Sequence, residues 1–192
     1  YLPVLPELTE QLGTTAALAQ LTMTACLVGL AGGQLVIGPL SDRYGRRKPL
    51  LLGTVAYVLA SLVCAWAPNI MVLLIARLLQ GLAASAGVVI ALAAGRDVYT
   101  GAKLIAYYGR FTMLSGLAGA VSPVIGGMLA SVIDWRGSFV ALAILGTVVL
   151  AATFFGLPET LPAVRESLPA ARKASPAVAR SRDDAESPSF LS

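Results

Sequence analysis

The sequence predicts an all-α polytopic membrane protein with five complete transmembrane helices. Of its 192 residues, 57% are hydrophobic and 12% are charged, whereas soluble domains carry about 25% charged residues. The stretches 16–40 and 49–76 contain no charged residue. Since roughly 20 apolar helical residues cross a bilayer core about 30 Å thick, each stretch is long enough to span it. Turns rich in Arg and Lys separate several apolar stretches, as expected of a chain that crosses a membrane repeatedly.

The predicted elements are spans joined by short connections. Residues 1–16 are interrupted by proline, glycine and acidic residues, and they predict the end of a helix followed by an external loop. Residues 158–192 are rich in Pro, Ala, Ser and Arg. They cannot bury enough apolar surface to fold alone, so a disordered cytoplasmic segment is predicted there. The five predicted spans lie between these two segments, at 17–40, 50–67, 70–95, 104–133 and 137–157.

Basic residues determine the predicted orientation. The turn between the first two spans holds four of them, the connection between the third and fourth spans holds Arg96 and Lys103, and the tail holds five. The outer connections hold Arg136 alone, in a short turn at 134–137. Because loops rich in Arg and Lys are retained in the cytoplasm, five alternating crossings place every basic segment on the cytoplasmic side.

Composition excludes several function classes. The net charge of +4 comes from loops and tail, as the orientation requires, so a nucleic-acid partner is not predicted. The chain has no histidine and no carboxylate cluster with ligand spacing, so neither a metal nor a cofactor is expected. Cys26 and Cys64 lie in apolar spans and are predicted to pack as small hydrophobes. Catalytic motifs and a phosphate-binding loop are absent from the sequence, which disfavours an enzyme and an ATP-driven pump.

The turn at 38–49 combines one acid with four bases. Gly38 is expected to let two helix ends approach closely, Gly45 permits a positive φ, and Pro49 suits the first turn of a helix. The stretch resembles motif A of the major facilitator superfamily, which lies between the second and third helices of that family. The matching residues are Gly38, Asp42, Arg43, Gly45, Arg46 and Arg47.

The resemblance to motif A implies a role in conformational change. Asp42, with Arg43 and Arg46, is implied to latch together the inner ends of two six-helix halves when the cavity opens outward. A carboxylate of this kind is stabilised at a helix N-terminus by about 0.3 to 1 kcal/mol. The alternative is that the basic residues only anchor the turn at the membrane surface.

Arg77 is a charged residue inside a predicted span. It lies about seven residues from the outer end, or roughly 10 Å along the helix. A guanidinium at that depth is costly unless it faces protein or water, which makes it a functional-site candidate; the alternative is an arginine that extends to the outer interface. The stretch 77–81 resembles motif B of the same superfamily. That resemblance implies a role in proton coupling for Arg77, Gln80 and Gly81.

The fourth span is rich in glycine and resembles motif C, which marks the drug antiporters of the superfamily. The residues in matching positions are Gly109, Pro123, Gly126 and Gly127. Ala118 and Ser122 stand where the family has glycine, so the match is partial, although both residues are small. The alternative is a glycine-rich packing face that carries no information about the direction of transport.

Three further stretches resemble the bicyclomycin and chloramphenicol resistance branch of the drug:proton antiporters: Tyr1-Leu2-Pro3 with Pro6, the stretch 38–43, and 157–161. This resemblance implies the N-terminal six-helix half of such a protein with most of helix 1 missing. The tail is then the loop to the missing C-terminal half. Protons and a small amphipathic drug are the implied partners, and a bacterial inner membrane is the implied location.

Two alternatives to drug efflux remain: a superfamily carrier for another small solute, such as a sugar or metabolite, and a membrane fragment that does not transport. Polar or flexible side chains on the spans are candidates to line a drug cavity, although each of them alone is more often a packing residue. They are Gln20, Thr24, Gln34, Tyr57, Gln80 and Met113.

Overall fold

A computed structural model describes residues 5–156, and the regular secondary structure in that range is helical. Five of the helices, each at least 19 residues long, are long and apolar enough to cross a membrane. The prediction of an all-helical chain with five membrane-length helices is therefore confirmed. The helices are α1 (Leu5–Gln11), α2 (Ala16–Tyr44), α3 (Arg47–Ala65), α4 (Ile70–Val98), α5 (Gly101–Ala130) and α6 (Trp135–Gly156).

The helix ends differ from the predicted span limits by up to four residues. α2 continues to Tyr44 rather than ending at 40, and α4 continues to Val98 rather than ending at 95. The predicted spans stopped where charged or turn residues begin, but a helix keeps its backbone hydrogen bonds beyond the membrane surface, where charged side chains are hydrated. Three residues of the predicted outer turn at 134–137 likewise belong to α6, which begins at Trp135, and Asp134 directly precedes that helix. The predicted tail, 158–192, and residues 1–4 lie outside the described residues.

Polar side chains cap two of the helices at the end of the bundle that the basic residues predict to face outward, here called the outer end. The Thr15 hydroxyl accepts a hydrogen bond from the Leu18 amide (3.3 Å), and the Asn69 side-chain oxygen accepts one from the Val72 amide (2.9 Å). Each satisfies a backbone donor that has no partner in the first helical turn. These caps define where the chain re-enters the apolar bundle after its outer connections.

The helices pack as a bundle with α4 at its centre. α2 lies against α4, and α3 packs between α4 and α6. α5 makes few contacts with the other described helices, and none of residues 101–129 is buried. The chain thus forms one well-packed group, α2, α3, α4 and α6, with α5 beside it.

The largest buried cluster lies at the outer end of this bundle. Trp135 and Phe139 of α6 are its largest members and meet edge to face. The Trp135 indole donates to the Gln11 side-chain oxygen (2.8 Å), and Arg136 donates to the Ala65 carbonyl (2.9 Å). These bonds join α1 and α3 to the start of α6. The cluster consists of Leu8, Ala19, Cys64, Ala65, Ala67, Leu73, Ala76, Trp135 and Phe139.

Candidate functional site

A charged cluster joins three helices at the opposite end of the bundle, which the basic residues predict to face the cytoplasm and which is here called the inner end. Arg46, between α2 and α3, donates to the Asp42 carboxylate (2.7 Å) and to the Asp97 carboxylate (2.9 Å). It also donates to the Ser41 hydroxyl (2.6 Å). Asp42 and Ser41 belong to the last turn of α2, and Asp97 belongs to the last turn of α4. One guanidinium therefore ties the ends of α2 and α4 to the start of α3.

The local geometry of this cluster follows from Gly45. Its φ is 94°, the positive value expected of a glycine in this turn, and it ends α2. The chain reverses there, so Arg46 faces Asp42, four residues earlier. The Arg46 side chain is only 10% exposed, whereas that of Asp42 is 68% exposed. The Asp42 carboxylate is thus held by Arg46 and still accessible to another group.

Arg46 stays positively charged in this setting. Burial alone lowers its pKa, but hydrogen bonds to Asp97 and Asp42 outweigh burial, and the pKa of Arg46 is raised. Because the folded-state pKa lies above an already high ordinary value, the stability that this cation contributes is lost only at extremely high pH. The cation is therefore constant over the working pH range.

The other motif A residues have different surroundings. Arg43 is exposed, with its guanidinium 5.7 Å from the Tyr44 ring centroid, and Arg47 donates to the Phe154 carbonyl of α6 (3.0 Å). Gly38 does not show the expected close approach, because a Cβ at that position would meet no atom within 4 Å in the described structure. Since α2 continues to Tyr44, Gly38 lies inside a helix rather than at its end.

A second polar group surrounds Arg77 inside the bundle. The Arg77 guanidinium donates to the Gln80 side-chain oxygen (2.9 Å), and the Gln80 amide donates to the Ser61 hydroxyl of α3 (2.8 Å). Ser61 in turn donates to the Tyr57 carbonyl (2.8 Å). The guanidinium lies 5.4 Å from the Phe139 ring centroid of α6. This chain of bonds and the ring contact connect α4 to α3 and α6.

Burial separates the two interpretations of Arg77. The residue is 9% exposed and Gln80 is 2% exposed, so the guanidinium lies among the helices instead of extending to the outer surface. An arginine remains protonated even when buried. The site therefore presents a fixed positive charge in a low-dielectric region, where it lowers the pKa of any carboxyl group that approaches it.

Gly81 serves helix packing. A Cβ at Gly81 would overlap the Cys26 carbonyl oxygen, and a Cβ at Gly29 would overlap the Leu78 carbonyl oxygen. A Cβ at Gly33 would lie 2.7 Å from the Leu82 carbonyl oxygen. The backbones of α2 and α4 thus touch over one face, and this contact fixes the part of α4 that carries Arg77 and Gln80.

The motif C residues lie on the open helix α5. A Cβ at Gly109 or Gly127 would meet no atom within 4 Å, and Pro123 is exposed within the helix. Gly126 is partly buried. Within residues 5–156, Gly109 and Gly127 therefore have no close neighbour, and both interpretations of motif C stay predictions.

The candidate cavity residues have three kinds of surroundings. Gln80 is part of the Arg77 group, and Tyr57 is half-buried and accepts the Ser61 hydrogen bond on its carbonyl. Met113, on α5, is 73% exposed. The other three, all on α2, are exposed and lie within about 80° of one another around the helix axis, at 100° per residue. They are Gln20, Thr24 and Gln34.

The sequence analysis missed several residues of these groups. Asp97 is not among the predicted site residues, although an acid beside Arg96 at the end of an apolar run is a usable signal. Ser61 and Phe139 gave no signal, since a serine or a phenylalanine in an apolar span is ordinary. Only the packing of α3 and α6 against α4 places them beside Arg77.

Comparison with known proteins identifies the family. The family model described as Major Facilitator Superfamily matches residues 1–185. The uncharacterized MFS-type transporter YdgK of Bacillus subtilis is 44% identical over 164 residues, which cover 84% of this chain and 41% of YdgK. A chloramphenicol resistance protein of Pseudomonas aeruginosa is 40% identical over 161 residues, covering 83% of this chain and 38% of that protein.

A third relative is the multidrug resistance protein D of Escherichia coli, which is 31% identical over 162 residues, 84% of this chain and 41% of that protein. The chain thus spans about two fifths of the length of the curated relatives it matches.

Proposed function

The chain belongs to the major facilitator superfamily, and on that premise we propose that it is part of a secondary transporter that expels small amphipathic drugs from bacteria in exchange for protons. The observation that carries the proposal is the buried cation at Arg77 and its bonds to Gln80 and Ser61. Relatives named for chloramphenicol and multidrug resistance support drugs as the substrate class.

Proton exchange is supported by the electrostatics of Arg77. A membrane carboxyl group near this guanidinium has a lowered pKa and releases its proton, whereas the same group regains a proton when the distance grows. Binding and release of a proton are thereby linked to which side of the membrane the cavity faces. The Gln80 and Ser61 bonds hold the cation in place during the cycle.

A drug path is supported by the polar face of α2. Gln20, Thr24 and Gln34 are exposed on one side of a membrane-length helix, and polar side chains in lipid are costly. We propose that this face lines the cavity between two halves of the transporter. Amide and hydroxyl groups spaced along an otherwise apolar wall suit amphipathic molecules.

The inner cluster is proposed as the latch of the conformational cycle. Arg46 holds Asp42 at the end of α2 while leaving its carboxylate accessible, so Asp42 can also bind the inner end of a second half. The helix α4 carries Arg77 near one end and Asp97 near the other, about 30 Å apart at 1.5 Å per residue. Since the α2 and α4 backbones touch at Gly29 and Gly81, the two helices transmit movement between the sites.

The proposed transporter is a multi-pass protein of the bacterial inner membrane, with the inner cluster and the tail in the cytoplasm. The basic residues around the inner ends of α2 and α4 support this orientation. Alternating access requires two halves that move against each other. The second half of the same protein is therefore a proposed partner. It is expected to meet the open faces of α2 and α5.

The proposal is tested by drug accumulation in cells that express the complete reading frame containing this chain. Chloramphenicol is the first probe, because a relative is named for resistance to it. Expression is expected to lower accumulation severalfold, and a protonophore is expected to restore it. Arg77→Ala is expected to restore drug accumulation as the protonophore does, although the variant is present in the membrane in normal amounts.

The matched control is Lys103→Ala, an exposed cation on α5. It is expected to retain efflux. Drug accumulation that falls with expression and is not restored by the protonophore would contradict proton exchange. Accumulation that is unchanged for a panel of amphipathic drugs would favour a carrier of another solute or a protein that does not transport.

A further inference from the structure

A groove of about 430 Å³ runs between α3 and α6, near the start of α3 and the end of α6. Thr147, on its wall, donates its hydroxyl to the Ala143 carbonyl of its own helix (2.8 Å), so the groove offers hydrocarbon and aromatic contacts. Its volume is within the range of small-ligand pockets. The other walls are Leu51, Val55, Leu150, Ala151, Phe154 and Phe155.

Two cations stand at the inner end of this groove. Arg47 donates to the Phe154 carbonyl (3.0 Å), and its guanidinium lies 5.8 Å from the Phe154 ring centroid. Lys48 is exposed and lies three residues before the groove residue Leu51. The side chains of Lys48 and Leu51 therefore project on the same side of α3. The groove is therefore apolar along its walls and positively charged at the end that faces the cytoplasmic surface.

The two cations have unused binding capacity. Both ion pairs within residues 5–156 are made by Arg46, so neither Arg47 nor Lys48 is neutralised by a described carboxylate. Nε of Arg47 is buried and has no hydrogen-bond partner in the same range, so contact with a phosphate falls to the terminal nitrogens of the guanidinium. A guanidinium has five N–H donors in a planar fork that fits a phosphate group, and an ammonium adds three more.

We infer that this groove binds one anionic phospholipid of the cytoplasmic leaflet, with an acyl chain along α3 and α6 and the phosphate on Arg47 and Lys48. Charge complementarity selects the anionic headgroup, and the apolar walls select the chain. Clusters of basic residues next to a membrane helix attract anionic lipids of that leaflet. The inference requires that α3 and α6 lie in a membrane, and it does not depend on drug efflux.

Lipid retention by the full 192-residue chain tests the inference. The chain is purified in a neutral detergent, titrated with phosphatidylglycerol or with phosphatidylcholine, and analysed by native mass spectrometry. One phosphatidylglycerol is expected to be retained in preference to phosphatidylcholine. Arg47→Gln and Lys48→Gln are each expected to weaken retention about fivefold, the factor that corresponds to roughly 1 kcal/mol per charge.

A second variant tests the groove independently of charge. Ala151 is an exposed wall residue, and Ala151→Trp fills the groove, so retention is expected to be lost. The matched control is Ala152→Trp, at an exposed neighbour outside the wall. The control for charge is Lys103→Gln on α5. Both controls are expected to retain phosphatidylglycerol, and circular dichroism before and after heating shows whether each variant is folded.

Four results would overturn the inference. Equal retention of the two lipids would show that the headgroup is not selected. Full retention by a folded Ala151→Trp variant would show that the lipid does not bind in the groove. A loss in Lys103→Gln as large as in Lys48→Gln would indicate general attraction to the basic surface. If residues 157–192 occupied the groove instead, the full chain would retain no lipid and deletion of those residues would create retention, which also contradicts the proposal.

Discussion

At the scale of single residues, Arg77 shows why a buried charge needs a defined set of neighbours. Its guanidinium is 9% exposed and bonds to Gln80, which in turn bonds to Ser61. Leaving a buried polar group without its partner costs about 1 to 3 kcal/mol. The position of the cation therefore depends on a serine that belongs to another helix.

Ser61→Ala is expected to lower the free energy of unfolding by about 1 to 3 kcal/mol, because the Gln80 amide loses its acceptor in a buried site. For a chain of this size, the melting temperature falls by roughly 2 to 4 °C per kcal/mol. Thermal unfolding in detergent measures the shift. Ser131→Ala is the control, since Ser131 is exposed and its hydroxyl bonds only to its own helix end. Equal shifts in both variants would contradict the role of Ser61.

Asp97→Asn is expected to lower the free energy of unfolding by about 1.5 to 3 kcal/mol, because it removes a charge-assisted bond to the mostly buried Arg46.

Asp42→Asn is expected to abolish drug resistance in the complete protein while membrane insertion is kept. The control for both is the exposed acid Asp134, as Asp134→Asn. Drug tolerance that is unchanged by Asp42→Asn would argue against the latch.

The residue scale also separates what the sequence could predict from what it could not. Arg77 was identified because a charge in a long apolar run is conspicuous, and Gly45 because the turn needs a positive φ. The bond between Arg46 and Asp97 joins residues 51 positions apart. Such a pair depends on how α4 packs against α2, and no local pattern encodes it.

At the scale of helices, the contact between α2 and α4 holds the bundle together. Carbonyl oxygens of each helix occupy the space where a side chain of the other helix would begin, at Gly29 and Gly81. Small residues allow helices in membranes to approach closely enough for dense packing. The glycines of α2 are visible in the sequence, but only the structure shows that they contact α4.

Gly81→Ala is expected to destabilise the chain by about 1 to 3 kcal/mol, because the added methyl group forces the two backbones apart. Gly87→Ala, six residues further along α4, is the matched control. A Cβ there meets no atom within 4 Å, and alanine favours a helix over glycine by about 1 kcal/mol, so this variant is expected to be neutral or stabilising. Thermal unfolding of the two variants is compared, and a Gly81→Ala variant as stable as Gly87→Ala would contradict the close contact.

At the scale of the whole molecule, the two polar groups lie at different levels along α4, with Arg77 and Asp97 twenty residues apart. The buried cluster around Trp135 and Phe139 lies at the outer end, and Arg46 with its two carboxylates lies at the inner end. The number of membrane-length helices could be predicted from apolar length alone, whereas the orientation stays a prediction from the basic residues. Which helices touch did not, because neighbouring apolar helices carry similar sequence patterns.

The orientation predicts the result of labelling with a reagent that cannot cross membranes. Cysteines are introduced at the exposed positions Lys48 and Asp134 in a variant in which Cys26 and Cys64 are alanine. In intact cells, the cysteine at 134 is expected to react and the cysteine at 48 to react only after permeabilisation. The reverse pattern would place the inner cluster outside the cell and remove the basis of the proposed latch.

Proton release driven by a drug tests the central claim most directly. The complete transporter is reconstituted in vesicles with a pH-sensitive dye, and a pulse of chloramphenicol is added to protein with Arg77 or with Arg77→Ala. With Arg77 present, the drug is expected to displace protons in proportion to the amount bound, and Arg77→Ala is expected to bind the drug with little or no release. Proton release of normal size from the folded Arg77→Ala protein would contradict the claim that the buried cation at Arg77 links the drug to the proton.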